Sequence, residues 1–352
     1  MTVESIAYLR KRNESNSTDQ QGKLLGLQIL RFGAAFAVVL FHIGSGYQID
    51  FGNNINLFSI GAAGVDIFFV LSGFIIALTT DPERGAWYFC RRRIVRVVPL
   101  YWVLTLGIAL IGVLLPDLLN STNVNLEFFL KSLFFIPYER SDGAIQPLLF
   151  LGWTLNYEMF FYSIYAVCLL LGWKSPLLPV LVVITLVITG RVFDSSNVIF
   201  RFYSNPIMLE FALGIIIYLL YNKNPGWFNG KTLLFSLVAM IIYVSSLLLP
   251  NVPWLLASAA PATLLVISFI GFKPQNSLFI SLLVFLGNAS YSLYLSHPYV
   301  IQVFSKISPP NSSLGVQFVI GTISAAICLL LSALLYKGVE LRFQHYTNSL
   351  LK

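Results

Sequence analysis

Long apolar runs alternate with short polar joints along almost the whole chain. The runs fall at about 24–47, 59–79, 97–115, 149–171, 176–192, 206–221, 232–249, 253–272, 287–304 and 314–336. Most approach the ~20 residues that a helix needs to cross the hydrocarbon core, and none shows the ~10-residue alternation of an outer-membrane strand. The pattern predicts an all-α polytopic membrane protein with about ten transmembrane helices. Residues 123–136 read as an additional short interfacial helix. No joint is long enough to separate domains and no fixed-period repeat is visible, so 24–340 reads as one transmembrane domain. It is flanked by a polar, flexible tail at 1–23 and a short tail at 341–352. The first run is read as a retained helix and not as a cleaved secretory signal.

Composition agrees with this picture. The chain has 352 residues, 57% hydrophobic and only 11% charged, against about 25% charged in a soluble domain. The net charge of +7 therefore reports topology and not a nucleic-acid partner. With ten alternating helices and both termini cytoplasmic, sixteen of the 22 Lys and Arg residues fall in inside segments, five fall outside and Arg31 lies within the membrane. That bias follows the positive-inside rule. Three cysteines, Cys90, Cys168 and Cys328, make no CxxC pair or disulfide framework.

The candidate chemistry lies where ionisable residues interrupt the apolar runs. Such residues are costly in lipid and usually face a protein interior or a wet cavity. Arg31 and His42 share the first helix, eleven residues apart. At ~100° and ~1.5 Å per residue they return to within roughly 20° of one face, separated by ~16 Å along the axis. By the topology above, the cation lies in the inner half and the imidazole near the outer end. In the second run, Asp66 is expected near the depth of His42, where it would orient the imidazole or pair with another polar neighbour. Ser72-Gly73 lies deeper, and its small residues admit a close helix or a thin ligand. The inner joint carries Arg92, Arg93 and Arg96 on one helical face. Guanidinium groups there suit phosphates, although basic residues at an inner membrane surface also follow from topology alone. Pro99 is read as opening the next helix.

The fourth run contains WTLNYEMFFY, with Glu158 among Trp153, Asn156, Tyr157 and Tyr162. Glu158 is expected in the outer half, as a functional carboxylate or as a structural partner of an arginine such as Arg31. Glu210 sits close to an interface and is assigned no role. His297 lies in LGNASYSLYLSHPYVI, while His345 falls in the inner tail. Two membrane histidines without a Cys/His cluster or HExxH do not make a metal site. There is no GxSxG elbow. Gly230-Lys231-Thr232 lacks the first glycine of a phosphate loop, because Pro225 occupies that position.

Taken in order, these stretches resemble the acyltransferase-3 family of membrane acyltransferases. The family includes bacterial enzymes that O-acetylate O-antigen, exopolysaccharide and other envelope glycans. The resemblance runs from about residue 24 to 340. It rests on the Arg31–His42 spacing, FFVLSGF at 68–74, Arg93-Ile-Val-Arg96 before Pro99, WTLNYEMFFY, and SYSLYLSHP at 290–298. The proline that family members often carry soon after a C-terminal glutamate is missing from Glu340-Leu341-Arg342. No extracytoplasmic hydrolase-like domain accompanies the match, so a stand-alone form is expected. The resemblance implies a multi-pass protein of the bacterial inner membrane. It implies an acetyl-CoA donor on the cytoplasmic side and a glycan or lipid-linked glycan acceptor on the far side, with no metal. It also implies that Arg31, Ser72, Arg92, Arg93 and Arg96 hold the donor. His42 is the general base supported by Asp66 or Glu158, and Trp153, Tyr157 and His297 contact the acceptor or brace those that do. Two other readings stay open from the residues alone. One is a proton-coupled transporter using Arg31, His42, Asp66, Glu158 and His297 as a relay. The other is a non-catalytic component of polysaccharide export.

Overall fold

The computed structural model describes residues 25–46, 59–115, 124–193, 195–249, 251–309 and 312–350. The expected tail at 1–23, and Leu24 and Tyr47 at the ends of the first run, lie outside them. The described chain is all-helical, and each of the ten apolar runs forms helix. α1 (Leu25–Gly46) is followed by α2 (Gly64–Thr79), which is entered through a 3-10 turn at Ser59–Ala63. Then come α3 (Gly85–Leu114), the short α4 (Leu126–Leu133), α5 (Gly152–Leu170) and α6 (Leu177–Val192). α7 (Val198–Tyr203), α8 (Leu209–Lys223), α9 (Thr232–Leu248) and α10 (Ala260–Ile270) follow. α11 (Leu278–Asn288) and α12 (Ser290–Ile307) meet at a 72° bend. α13 (Leu314–Leu335) continues through a π turn at Tyr336–Glu340 into α14 (Leu341–Leu350), so the expected C-terminal tail is largely helix.

By length and composition, five helical units can cross a bilayer, or six if the bent α11–α12 pair is one span. The other runs, α5, α6, α9 and Leu255–Ile270, are shorter or more polar. Within 123–136 a short helix forms as α4, capped by Asn125, whose Oδ1 accepts from Phe128 N at 2.7 Å.

Pro99 does not open a helix. It sits inside α3, which runs unbroken through the arginine-rich joint for 30 residues. Proline is tolerated inside a membrane helix where neighbours bond the backbone groups it disturbs. α12 also braces α3 on either side of Pro99: the Tyr291 hydroxyl donates to Val97 O at 2.7 Å, and the Tyr299 hydroxyl donates to Leu104 O. The arginines thereby stand on the same rigid helix as the membrane-embedded part of α3.

α1 lies at the centre. Val38 joins an aromatic-rich cluster shared by α3, α5 and α8, while Leu27, Leu30 and Ala34 pack with α2 and α10. Ala35, Val39 and Ile43 pack with α12 and α13. Glycines set the closest approaches. A Cβ on Gly64 would lie 2.4 Å from Ala34 O, and one on Gly61 would lie 2.0 Å from Ala37 O, so α2 runs antiparallel to α1. α8 runs parallel to α2, with Phe69 ring-to-ring with Phe211 and Phe74 with Tyr218 and Tyr221. Gly214 faces the α2 backbone so tightly that an added Cβ would lie 2.1 Å from Val70 O and 2.7 Å from Phe74 N. Backbone cannot yield as a side-chain tip does. Gly214→Val is therefore expected to destabilise by about 1–3 kcal/mol or more. Gly33→Ala has nothing within 4 Å of the new Cβ and should be neutral or mildly stabilising, because Gly costs ~0.5–1 kcal/mol in a helix. Thermal unfolding of both variants in detergent checks the contrast.

Candidate functional site

Arg31, Arg92, Arg93, Arg96, Glu158 and Glu340 converge on two connected spaces. The first is a polar vestibule of about 920 Å³, counting its open side, lined by Gln28, Arg31, Arg92, Arg93, Arg96, Asn288, Tyr336, Glu340 and Gln344. The second is a chamber of about 750 Å³, again counting its open part. Arg31, Arg93 and Arg96 line both, so they stand at the junction. Beyond them the chamber is walled by apolar residues such as Phe68, Phe69, Ile75, Ile76, Val97 and Leu155, with Ser72, Thr154, Glu158, Tyr162, Ser290, Tyr291 and Tyr294 as its polar groups.

Each junction arginine is held differently. Arg31 Nη1 donates to Gln28 Oε1 at 3.0 Å, one turn below on α1. Arg93 is buried and donates from Nη2 to Thr79 Oγ1 at 2.8 Å, between the rings of Phe89 and Tyr162. Arg96 is half-buried and faces both spaces. Arg92 is exposed, over the ring of Tyr88. A vestibule with several guanidinium groups at its inner end suits a polyanion that enters part-way.

Glu158 is the acceptor at the centre of the chamber. Ser72 Oγ donates to its Oε1 at 3.2 Å, and the Tyr162 hydroxyl donates to the same oxygen. Arg31 lies near enough for Glu158 and Glu340 to act on it electrostatically. Glu158 thus belongs with the arginines and Ser72, and not beside the imidazole. This corrects the expected support of His42 by Glu158. The reason is helical register, since Thr154, one turn earlier on α5, already stands at the chamber's far end.

At that far end Thr154 Oγ1 and the Tyr294 hydroxyl are 3.1 Å apart, and Phe68 packs edge-on against Tyr294. Tyr294 in turn packs edge-on against His297. Behind it, the rings of His297 and His42 have centroids 5.2 Å apart. Phe41 and Phe150 pack edge-on against the His42 ring, which stays partly exposed. Phe150 is placed by the loop after α4. That loop is anchored where Tyr101 and Trp102 donate to the carbonyls of Ser132 and Leu133, and Leu148 N donates to Ser132 Oγ at 3.0 Å. The spaces and side chains therefore form one line: arginine vestibule, chamber, Thr154–Tyr294 contact, histidine pair.

Asp66 is a second correction. Gly64, two residues before it, packs on Ala34 and Val38, so Asp66 lies more than a helical turn below His42. Its side chain meets that of Glu210 instead, and both are buried. Neither carboxylate oxygen of Glu210 has a hydrogen-bond partner among the described residues. Glu210, given no role on sequence grounds, proves fully buried, because α8 lies against α2 along its length. Trp153 and Tyr157 also turn away from the chamber lining. They join Phe69, Phe202 and Tyr203 in an aromatic cluster of the core.

Glu340 carries no role on sequence grounds. The π turn brings it into the vestibule, where Ser292 donates to it. An acid just past a long apolar run was the available signal, but it reads equally well as the start of a solvated tail.

Comparison with known proteins agrees with the motif order. A family described as "Acyltransferase domain" matches residues 24–337. The exopolysaccharide production protein ExoZ of Rhizobium meliloti (strain 1021) is 38% identical over 256 residues, covering 71% of this chain and 79% of that protein. The acyltransferase MdmB of Streptomyces mycarofaciens is 25% identical over 319 residues, covering 80% and 79%. No solved structure matches significantly.

Proposed function

The chain belongs to the acyltransferase-3 family, and from that premise we propose that it is a membrane O-acyltransferase. It carries an acyl group, with acetyl the expected one, from coenzyme A at the cytoplasmic face to a hydroxyl of an extracytoplasmic glycan. The observation that carries this reading is the line from arginine vestibule to histidine pair. In it, one end suits a polyanionic donor and the other holds an imidazole for proton transfer. Similarity to a protein of exopolysaccharide production supports a glycan as the acceptor.

In this reading Arg92, Arg96 and Arg31 hold the nucleotide phosphates. The thin pantetheine arm passes Ser72 and Glu158, whose hydrogen-bonding atoms suit its amides. The Thr154–Tyr294 contact opens to admit the thioester to His42. His42 takes the proton of the acceptor hydroxyl as its oxygen attacks the thioester carbonyl. The carbon–sulfur bond breaks, and the proton passes from the imidazolium to the departing thiolate. The products are an ester and free coenzyme A.

Two experiments test the reading. Mass spectrometry of envelope glycans from cells with and without the protein should show ester groups only in the former, and unchanged glycans would overturn it. The sidedness follows from ten crossings with both termini inside, motivated by the charge bias. Reporter fusions after Asn54 and Asn251 are expected to read outside, and fusions after Pro82 and Lys352 inside. A C-terminal fusion reading outside would sink the ten-crossing topology.

A further inference from the structure

Moving Asp66 and Glu158 away from His42 leaves the base without the carboxylate that usually fixes an imidazole's tautomer. His297 stands in that place. Its Nδ1 lies 3.1 Å from Leu293 O, with Tyr294 O as a second carbonyl partner. The local sequence explains the second partner. Pro298 sits inside α12 and has no N–H to give Tyr294 O, four residues earlier. The His297 ring folds back onto this opened turn. A carbonyl only accepts, so Nδ1 must carry the hydrogen, and Nε2 must present a lone pair. That Nε2 is fully buried and has no hydrogen-bond partner among the described residues. Buried polar atoms are rarely left so, and one that is needs an explanation.

The His42 ring is the neighbour placed to supply a donor. An N–H···N bond of about 3 Å between two imidazoles, each adding about 1 Å from nitrogen to ring centre, places the centres about 5 Å apart. The observed separation is 5.2 Å, with the planes 32° apart, so the two rings stand at the distance of such a bond, which forms when the His42 ring turns an N–H toward Nε2.

We propose that His297 is the positioning residue of the histidine site: its Nε2 accepts the N–H of His42, so that the other nitrogen of His42 faces the acceptor hydroxyl as a free base. The bond also stabilises the imidazolium that forms when His42 takes the proton. This rests on the reading of His42 as the base, and it assigns to a second histidine the task that triads give to a carboxylate.

The test compares His297→Phe and His297→Leu, which fill space without an acceptor, with His297→Gln, whose amide oxygen can accept. Turnover and donor KM are measured for each in purified protein, with thermal stability as the folding control. The apolar variants are expected to lose at least about tenfold in kcat with donor KM within about twofold, and Gln is expected to recover most of the loss. In a His42→Ala background, His297→Leu is expected to cost nothing further, because the two act as one unit. Wild-type turnover in a folded apolar variant, no recovery by folded Gln, or multiplicative losses in the double variant would each overturn the proposal. A His42→Ala variant with full activity would instead overturn the base assignment itself, so the two failures are distinguishable.

Discussion

His42→Ala is expected to bind acetyl-CoA almost as the unaltered protein does and to lose acyl transfer by about 10²–10⁴-fold, the usual worth of a positioned general base. The separation follows from the line of the site. The arginines lie at the vestibule, whereas His42 lies beyond the Thr154–Tyr294 contact, against His297 and Phe150. Removing the imidazole leaves the donor's phosphate partners untouched. It also leaves a small void beside Ile43 and Phe150, so thermal stability in detergent must be recorded with donor affinity and transfer. Transfer at the original rate would place the base elsewhere. Loss of donor binding together with transfer would make the residue structural.

The second large effect separates two arginines that the sequence shows as equivalent. Arg96→Gln is expected to weaken donor binding by about 10–100-fold, since a hydrogen bond to a charged group is worth ~1.5–3 kcal/mol. Stability should change little, because Arg96 is half-buried at the junction of the two spaces. Arg93→Gln is expected to lower the unfolding temperature instead. Its guanidinium donates to Thr79 between the rings of Phe89 and Tyr162. Those contacts tie α2, α3 and α5 together. Lysine at 96 should rescue only part of the affinity, because a point charge does not reproduce the planar fork. Titration of acetyl-CoA and thermal unfolding of the two single variants decide the matter. Unchanged donor affinity in Arg96→Gln would return this residue to membrane topology alone.

These expectations mix what the sequence shows with what only packing reveals. The spacing of Arg31 and His42 was readable because both stand on one helix, where rise and rotation per residue are fixed. The all-helical architecture was readable for the same reason, since each run carries its own length and polarity. Partners across helices were not. Asp66 appeared level with His42 from counting along α2, but Gly61 and Gly64 set how α2 slides on α1, and they put Asp66 more than a turn lower. Glu158 appeared to be in the outer half, yet it meets Ser72 and Tyr162. Pro99 looked like a helix start because the arginines before it resemble a loop. The helix runs through it, and the hydroxyls of Tyr291 and Tyr299, from nearly 200 residues away, bond the α3 backbone on either side. Glu340 was hidden by its place at the end of a run, and only the π turn brings it to the arginines.

The central claim is that an acyl group crosses from a cytoplasmic donor to a hydroxyl on the other side. The most direct measurement uses purified protein in sealed vesicles, with acetyl-labelled acetyl-CoA on the face that carries Arg92 and Arg96 and a glycan acceptor on the opposite face. The account expects labelled ester on the glycan and free coenzyme A on the donor side, both abolished by His42→Ala. Intact acetyl-CoA and unlabelled glycan, with proton-coupled movement of a solute instead, would contradict it.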